Sequence, residues 1–355
     1  MDLTPFLDDL ESRLDPEVED GLEAQWKTFI FHGWDASPIF EPRRAKAAPS
    51  NIKWPWPSTN STLNDDNESF DRMALQQLCC ASGTLSGTGG SLLNVRSNYG
   101  TGILPSLFGA PVAIMDAQYE LLPTATAIPG GLNAIQNLVA SPPVCHETGW
   151  GARTFEMGRR FRAMFEPYPK IKRYVHVYHP DIQGPLDVAE MCVGSGMFIA
   201  LYDEPELMFA LLDHITETYI RFLDAWLALA PPPNPEYGVH WGAMHRGHAM
   251  LRTDSGMNLS PEMMERFSLP FDARILKKFG GGVHACGKVD HYYGLVASLA
   301  GCHCLNLSQP EYNDMKRVYR ETIDHGVRLF SHPESECRRL AETRRANTRF
   351  VHIAG

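Results

Sequence analysis

Residues 260–287 read SPEMMERFSLPFDARILKKFGGGVHACG. Ser260 is suited to cap a helix, Pro261 to occupy its first position, and Gly280-Gly281-Gly282 to stop it, so a helix is predicted from Pro261 to Lys278. The short apolar stretch Gly282–Ala285 follows as a strand. The same texture recurs on both sides, with strands predicted at 174–178, 237–241, 303–307 and 327–330. Between them a long helix is predicted from Glu204 to Leu229, with Asp203 as cap and Pro205 in the first turn. Its Leu207, Leu211, Ile215, Tyr219, Leu223 and Leu227 form an i,i+4 row. Short strands alternating with helices at this spacing imply a parallel sheet. With no dinucleotide fingerprint to suggest an open sheet, the predicted fold is α/β, a closed (β/α)8 TIM barrel.

The first ninety residues have a different texture. Leu3 to Phe31 is amphipathic and helical, with Trp26, Phe29 and Ile30 on an inner face. From Gly33 to Ser69 the chain is rich in Pro, Asn and Ser and includes Trp54-Pro55-Trp56-Pro57, an irregular segment whose tryptophans are expected to pack on the body, the alternative being that they line a ligand pocket. After Leu75–Cys80, read as helix, Ala81–Gly90 (ASGTLSGTGG) has the glycines of a phosphate loop. It lacks the Lys-Ser/Thr that follows them in such loops, and reads as a flexible loop. The organisation expected is an N-terminal helical and irregular arm, residues 1–94, packed on a barrel of residues 95–355.

The chain has 355 residues, 44% hydrophobic and 21% charged, with a formal net charge of -10, so it offers no basic footprint for nucleic acid or an anionic membrane. Eight Cys are too dilute for a disulfide scaffold. No stretch approaches the roughly 18 apolar residues of a membrane span. A cytoplasmic location is expected.

In a barrel the chemistry lies just after the strands. The most informative strand end is Val283-His284-Ala285-Cys286-Gly287. His284 and Cys286 are two apart, so both face one side of a strand and both can reach one ion. An imidazole and a thiolate suit Zn²⁺, with Cys337, His332, Cys304 or Cys302 as the third ligand. Other strand ends supply Asp181 and Gln183, then His240, His245, Arg246 and His248, then Asn306 and Gln309. Asp181 and Asp254 are candidate acids or bases, or helix caps. Arg96 and Tyr99 are a further pair placed to touch substrate.

Asp181-Ile182-Gln183-Gly184-Pro185, Leu201-Tyr202-Asp203-Glu204-Pro205-Glu206, Ser260-Pro261-Glu262, Leu269-Pro270-Phe271 and His284-Ala285-Cys286-Gly287 occur here in the order in which similar motifs occur in the uroporphyrinogen decarboxylase superfamily. The chain resembles that superfamily from about residue 95 onward. The resemblance implies a (β/α)8 barrel with its site at the C-terminal mouth. True decarboxylases of the superfamily carry an arginine-rich segment, Arg-Gln-Ala-Gly-Arg, near the N-terminus, and no such tract occurs in the first hundred residues here. The zinc- and corrinoid-dependent methyltransferase branch is the closer resemblance. It implies His284 and Cys286 as zinc ligands, and a later cysteine, for which Cys337 is a displaced match. It further implies a methyl group moving between a corrinoid or other donor and a zinc-activated thiol.

The reading that results is a methyltransferase with zinc at His284, Cys286 and Cys337. Arg96, Asp181, Gln183, His240, Arg246, Asp254, Asn306 and Gln309 would bind substrate. Expected partners are a small thiol or methylated substrate, a corrinoid free or on a carrier protein, and a second copy of the chain in a homodimer. The alternatives are a metal-free decarboxylase of a carboxylated tetrapyrrole, using Arg96, Arg246 and Arg252, and a non-catalytic barrel that binds a corrinoid or corrinoid protein.

Overall fold

The strands of the computed structural model are β1 (Asn94–Val95), β2 (Val112–Ala113), β3 (Thr124–Ala125), β4 (His176–Val177), β5 (Tyr237–His240), β6 (Ala243–Arg246), β7 (Ala249–Arg252), β8 (Gly281–Ala285), β9 (Cys302–Leu307), β10 (Arg328–His332) and β11 (Val351–Ile353). The structure describes residues 1–55, 69–116, 121–343 and 345–353. Trp56 lies outside them.

The core of the architecture is a parallel five-stranded sheet in the order β11-β10-β9-β8-β7. β1 and β4 form a separate parallel pair, while β2–β3 and β5–β6 are antiparallel. Among the described residues the ladder does not close into the predicted eight-stranded ring. Other contacts span some of the gaps. Met250 N donates to His179 Nε2 at 3.1 Å between β7 and the chain after β4. Phe40 N donates to Val351 O at 2.9 Å, and Ile353 N to Phe40 O at 3.1 Å, so a single residue of the N-terminal segment flanks β11.

Several predicted elements shift for local reasons. Tyr174 ends a helix, Pro169–Tyr174, leaving only His176–Val177 as strand. The strand predicted at Tyr237–Trp241 is one arm of a hairpin, because Trp241 (φ 50°) and Gly242 (φ 76°) turn the chain back. The strand that joins the sheet is β7, which the alternation had not separated from that stretch. The helix predicted from Pro261 to Lys278 is two, Pro261–Phe267 and Leu269–Phe279, broken at Ser268. Ser260 caps the first as predicted, accepting from Met263 N. The 25-residue helix Pro205–Leu229 buries Leu211, Ile215, Tyr219 and Leu223 of the predicted row. Its N-cap is Glu204, since Asp203 closes the preceding helix, Met197–Asp203.

At the N-terminus, Pro16 begins a new helix, so the predicted single helix becomes Thr4–Arg13 and Pro16–His32. Trp26 and Phe29 are fully buried against Phe40 and Phe330, with Phe29 and Phe40 stacked at 4.4 Å. Trp54 donates from Nε1 to Asp9 at 2.9 Å and packs on Phe6. Ala81–Gly90 is not the loop expected of it. The helix Phe70–Ser86 takes its first six residues, because Ala81 and Leu85 are buried on the same face as Met73, Ala74 and Leu78, and only Gly87–Gly90 stay outside regular structure. No single helix among the described residues is long and apolar enough to cross a membrane.

Candidate functional site

The register of the parallel sheet builds the site. Arg252 of β7 stands beside His284 of β8, and His284 beside Asn306 of β9. Residues in register on neighbouring strands share a face, so three polar side chains meet at the C-terminal ends of the strands, where the sequence placed the chemistry. Close approach is needed beneath them: a Cβ on Gly282 would lie 2.3 Å from Cys304 Sγ, so only glycine lets β8 and β9 pack in this way.

His284 Nδ1 lies 2.6 Å from Asn306 Oδ1. The Asn306 amide is itself oriented, since its Nδ2 donates to Phe330 O at 2.9 Å. Asn306 Oδ1 therefore accepts, His284 carries its hydrogen on Nδ1, and the Nε2 lone pair is free. That lone pair lies 3.3 Å from Cys286 Sγ and 3.8 Å from Asp254 Oδ1. Asp254 Oδ1 accepts from Cys286 N at 2.7 Å. The ligand atoms of Asp254, His284 and Cys286 all lie within 4.8 Å of one another, the one group of three His, Cys, Asp or Glu side chains so placed among the described residues.

The donor set fits a zinc ion: a neutral imidazole with its lone pair presented, a thiol able to ionise, and a carboxylate, leaving a fourth position for substrate. A second layer supports it. Asp187 accepts from Asp254 N at 3.1 Å and Ser255 N at 2.8 Å, holding the turn that carries Asp254. Gln309 Oε1 accepts from Gly287 N at 2.6 Å, bracing the chain just past Cys286. Burial, and then the Asp254 carboxylate, push the Cys286 thiol up to about 11. Burial lowers His284, partly countered by Asp254. Burial, and next the Asp254 charge, raise Asp187.

Cys337, expected as third ligand, is not in this group. It sits on the helix Glu334–Glu342, buried, with Sγ donating to His332 O at 3.6 Å. The alternatives are also engaged elsewhere. His332 Nε2 is 2.8 Å from Tyr319 OH, Cys302 Sγ donates to Cys304 O, and Cys304 lies under Gly282. Asp254 stands with His284 and Cys286 instead, because Thr253, just past β7, donates its N–H to His284 O at 3.0 Å and so brings the next residue over the end of β8.

A second polar group lies beside the first. Asp181 pairs with Arg252 Nε at 3.0 Å and Arg96 Nη1 at 3.8 Å, and accepts from Gln183 Nε2. Burial alone would raise Asp181, but the two guanidiniums, with Gln183, hold it below its usual range. Arg252 Nη2 donates to His240 Nε2 at 3.2 Å, and its guanidinium lies 4.6 Å over the Trp241 ring. Arg96, Asp181, Gln183, His240 and Arg252 thus come together.

Arg246 does not join them. The β5–β6 hairpin carries it back toward the opposite end of the sheet, where its guanidinium lies 5.7 Å from the Phe31 ring. The trio Arg96, Arg246 and Arg252 that a carboxylated tetrapyrrole would require is therefore not brought together: Arg96 and Arg252 meet at Asp181, and Arg246 does not. Tyr99 is buried, edge-on to Trp150 at 6.1 Å.

Two contributors escaped the sequence reading. Trp241 stands 5.3 Å from the His284 ring, edge to face. Gln183, Trp241 and Ser331 have φ of 56°, 50° and 48°, a left-handed conformation costly for such residues. Trp241 follows β5 directly, Ser331 is near the end of β10, and Gln183 lies just before the helix Pro185–Val193; no local sequence signal announces these conformations. Asp187 had a signal, an acidic residue in the first turn after Gly184-Pro185. A cleft of about 670 Å³ opens beside Asp254, lined by Gln183, Asp187, Glu190 and Met257 among others, and among the described residues its lining holds no Lys or Arg.

No family model matches the sequence, and no curated protein matches it. Solved structures do. A methyltransferase from Methanosarcina mazei superposes with a TM-score of 0.60 over 94% of this chain and 93% of its own, at 13% sequence identity. The chain shares that protein's fold.

Proposed function

We propose that this protein is a methyltransferase that joins a methyl group to a thiol activated at a zinc ion held by Asp254, His284 and Cys286. The observation that carries the reading is the convergence of those three ligand atoms at the C-terminal ends of the parallel strands, with the His284 lone pair directed by Asn306. Zinc bound there supplies a Lewis acid that lowers the pKa of an incoming thiol, giving a thiolate at neutral pH. The new S–C bond forms as the bond from methyl to donor breaks, and the electron pair of that bond leaves with the donor.

The protein's own groups prepare this step. Asn306 fixes the imidazole tautomer, Asp187 fixes the Asp254 turn, and Trp241 packs edge to face against the His284 ring. Asp181, held ionised by Arg252 and Arg96, orients Gln183 at the cleft. The fold shared with a methyltransferase supports the reading, as does the parallel five-stranded sheet that carries the three ligand groups at its C-terminal ends. The acidic lining of the cleft and the separation of Arg246 from Arg96 and Arg252 favour methyl transfer over action on a polycarboxylated tetrapyrrole. A methylated corrinoid, free or on a carrier protein, is the donor class this reading names first.

The test is elemental analysis of purified protein together with thiol-dependent methyl transfer from methylcobalamin. About one zinc per chain, with transfer lost in Cys286→Ser and His284→Ala, is the expected result. A folded protein that takes up no zinc under reducing conditions overturns the proposal.

A further inference from the structure

The strand pair β10–β11 is irregular next to the metal-ligand group. Its register runs from Leu329 beside Val351 to His332 beside Ile353, so Phe330 and Ser331 together stand opposite the single residue His352. That is a β-bulge, a device by which a sheet re-aims a group at the end of a strand. Ser331 takes φ 48° in it, a left-handed conformation that a serine holds only where its surroundings fix it. A side chain does the fixing here: Ser331 N donates to His352 Nδ1 at 3.1 Å.

His352 is itself held from several sides. Its ring centroid lies 4.6 Å from that of Trp26 and 5.8 Å from Phe40, with Phe330 at 6.1 Å and Phe29 at 6.4 Å. Trp26 and Phe29 come from the helix Pro16–His32, and Phe40 is the residue that flanks β11. Burying an imidazole among such rings costs free energy that a phenyl ring would not, so packing alone does not account for a histidine at this position. Its Nδ1 lone pair does, since a phenyl ring offers Ser331 N no acceptor. Burial lowers the His352 pKa to about 3, so the ring is neutral and keeps that lone pair through the neutral range.

The bulge reaches the metal ligands through one peptide group. The β9–β10 ladder pairs Arg328 with Cys304 and Leu329 with Leu305, and the carbonyl of the next residue, Phe330, accepts from Asn306 Nδ2 at 2.9 Å. That carbonyl and the Ser331 N–H belong to the same planar trans peptide, so fixing the direction of one fixes the other. Asn306 Oδ1 in turn stands 2.6 Å from His284 Nδ1, which leaves His284 Nε2 beside Cys286 Sγ at 3.3 Å. We infer that His352 is a positioning residue for His284: by accepting the Ser331 N–H it sets the Phe330–Ser331 peptide plane, the plane sets Asn306, and Asn306 sets the His284 tautomer. The N-terminal residues that pack around His352 thereby support the metal-ligand group as well. The inference rests on the reading of His284 as a ligand, and its test keeps the two apart.

Two substitutions in the full-length protein separate this role from packing. His352→Phe keeps an aromatic ring among the others and removes the acceptor, whereas His352→Asn keeps an acceptor, Oδ1, and removes the ring. With zinc affinity read by chelator competition, His352→Phe is expected to weaken binding about tenfold while keeping the higher thermal midpoint. His352→Asn is expected to bind zinc more tightly than His352→Phe and to melt lower. His352→Leu, likewise without an acceptor, carries the same expectation for affinity and serves if the phenylalanine variant does not fold. In an Asn306→Leu background His352→Phe should cause no further loss, because the path runs through Asn306. Nitrogen-15 spectra of the histidine rings in metal-free protein, with His284→Ala locating the signal, read the tautomer directly: Nδ1–H in the unsubstituted protein, a mixture in His352→Phe. A protein that takes up no zinc removes the ligand reading, and the tautomer then decides this inference alone. It is overturned by a His284 tautomer unchanged in the folded acceptor-free variant, by a zinc loss equally large in the Asn306→Leu background, or by affinity and midpoint falling together across the variants.

Discussion

His284 Nδ1 and Asn306 Oδ1 are 2.6 Å apart across neighbouring strands, and that contact decides which imidazole nitrogen is free to bind a metal. Register places the pair side by side, and the Phe330 carbonyl prevents the Asn306 amide from turning over. Replacing Asn306 by Leu should weaken zinc binding by about 10–100-fold, the usual effect of losing such an outer partner. Asn306→Asp, which keeps the acceptor, should retain more affinity than Leu. Competition with a chromophoric chelator measures both.

The third ligand is open to direct test. Cys337→Ser should leave zinc content unchanged, because its thiol is spent on His332 O, whereas Asp254→Ala should lower it in a folded protein. Metal analysis with circular dichroism as the folding control separates the two. If Cys337→Ser loses zinc, Asp254 is not the ligand that completes the set.

Zinc binding should release a proton. Cys286, raised to about 11 by burial and then by Asp254, is a thiol at neutral pH, while burial keeps His284 neutral. Since the bound form is the thiolate, about one proton leaves per zinc, and apparent affinity should rise about tenfold per pH unit between pH 7 and 9. Calorimetry in buffers of different ionisation enthalpy counts the proton.

Acidification should destabilise the fold through its buried histidines. Burial holds His176 and His245 at about 4 and His179 and His352 at about 3. In the unfolded chain they titrate near 6.5, so between about pH 6.5 and 4 the unfolded state binds more protons and stability falls with pH. Asp187, raised by burial and Asp254, and Asp272, raised by burial to about 7, act in the opposite direction. Four imidazoles outweigh two carboxyls, and each net proton is worth about 1.4 kcal/mol per pH unit. The urea midpoint should therefore drop between pH 7 and 5.

Gly184 lets the Asp181–Gln183 segment lie against β7, since a Cβ there would sit 2.0 Å from Arg252 O. Gly184→Ala should cost about 1–3 kcal/mol and loosen the Asp181–Arg252 pair. A thermal melt compared with that of Gly21→Ala, where a Cβ meets nothing within 4 Å, isolates the packing term.

The chain itself determined the elements with strong local signals: the capped start at Ser260, the glycine stop after Phe279, the buried row of the long helix, and His284 and Cys286 on one face at a strand end. Those follow from periodicity and backbone chemistry within a few residues, which a sequence displays directly. Only the tertiary structure decided that Asp254 rather than Cys337 stands beside His284 and Cys286, and that Arg246 lies away from Arg252 although only six residues separate them. The first depends on the register of β7 against β8, the second on two successive positive φ angles at Trp241 and Gly242. Both are set by packing between segments distant in the chain or by backbone strain that packing sustains, and neither leaves a pattern in the order of the residues.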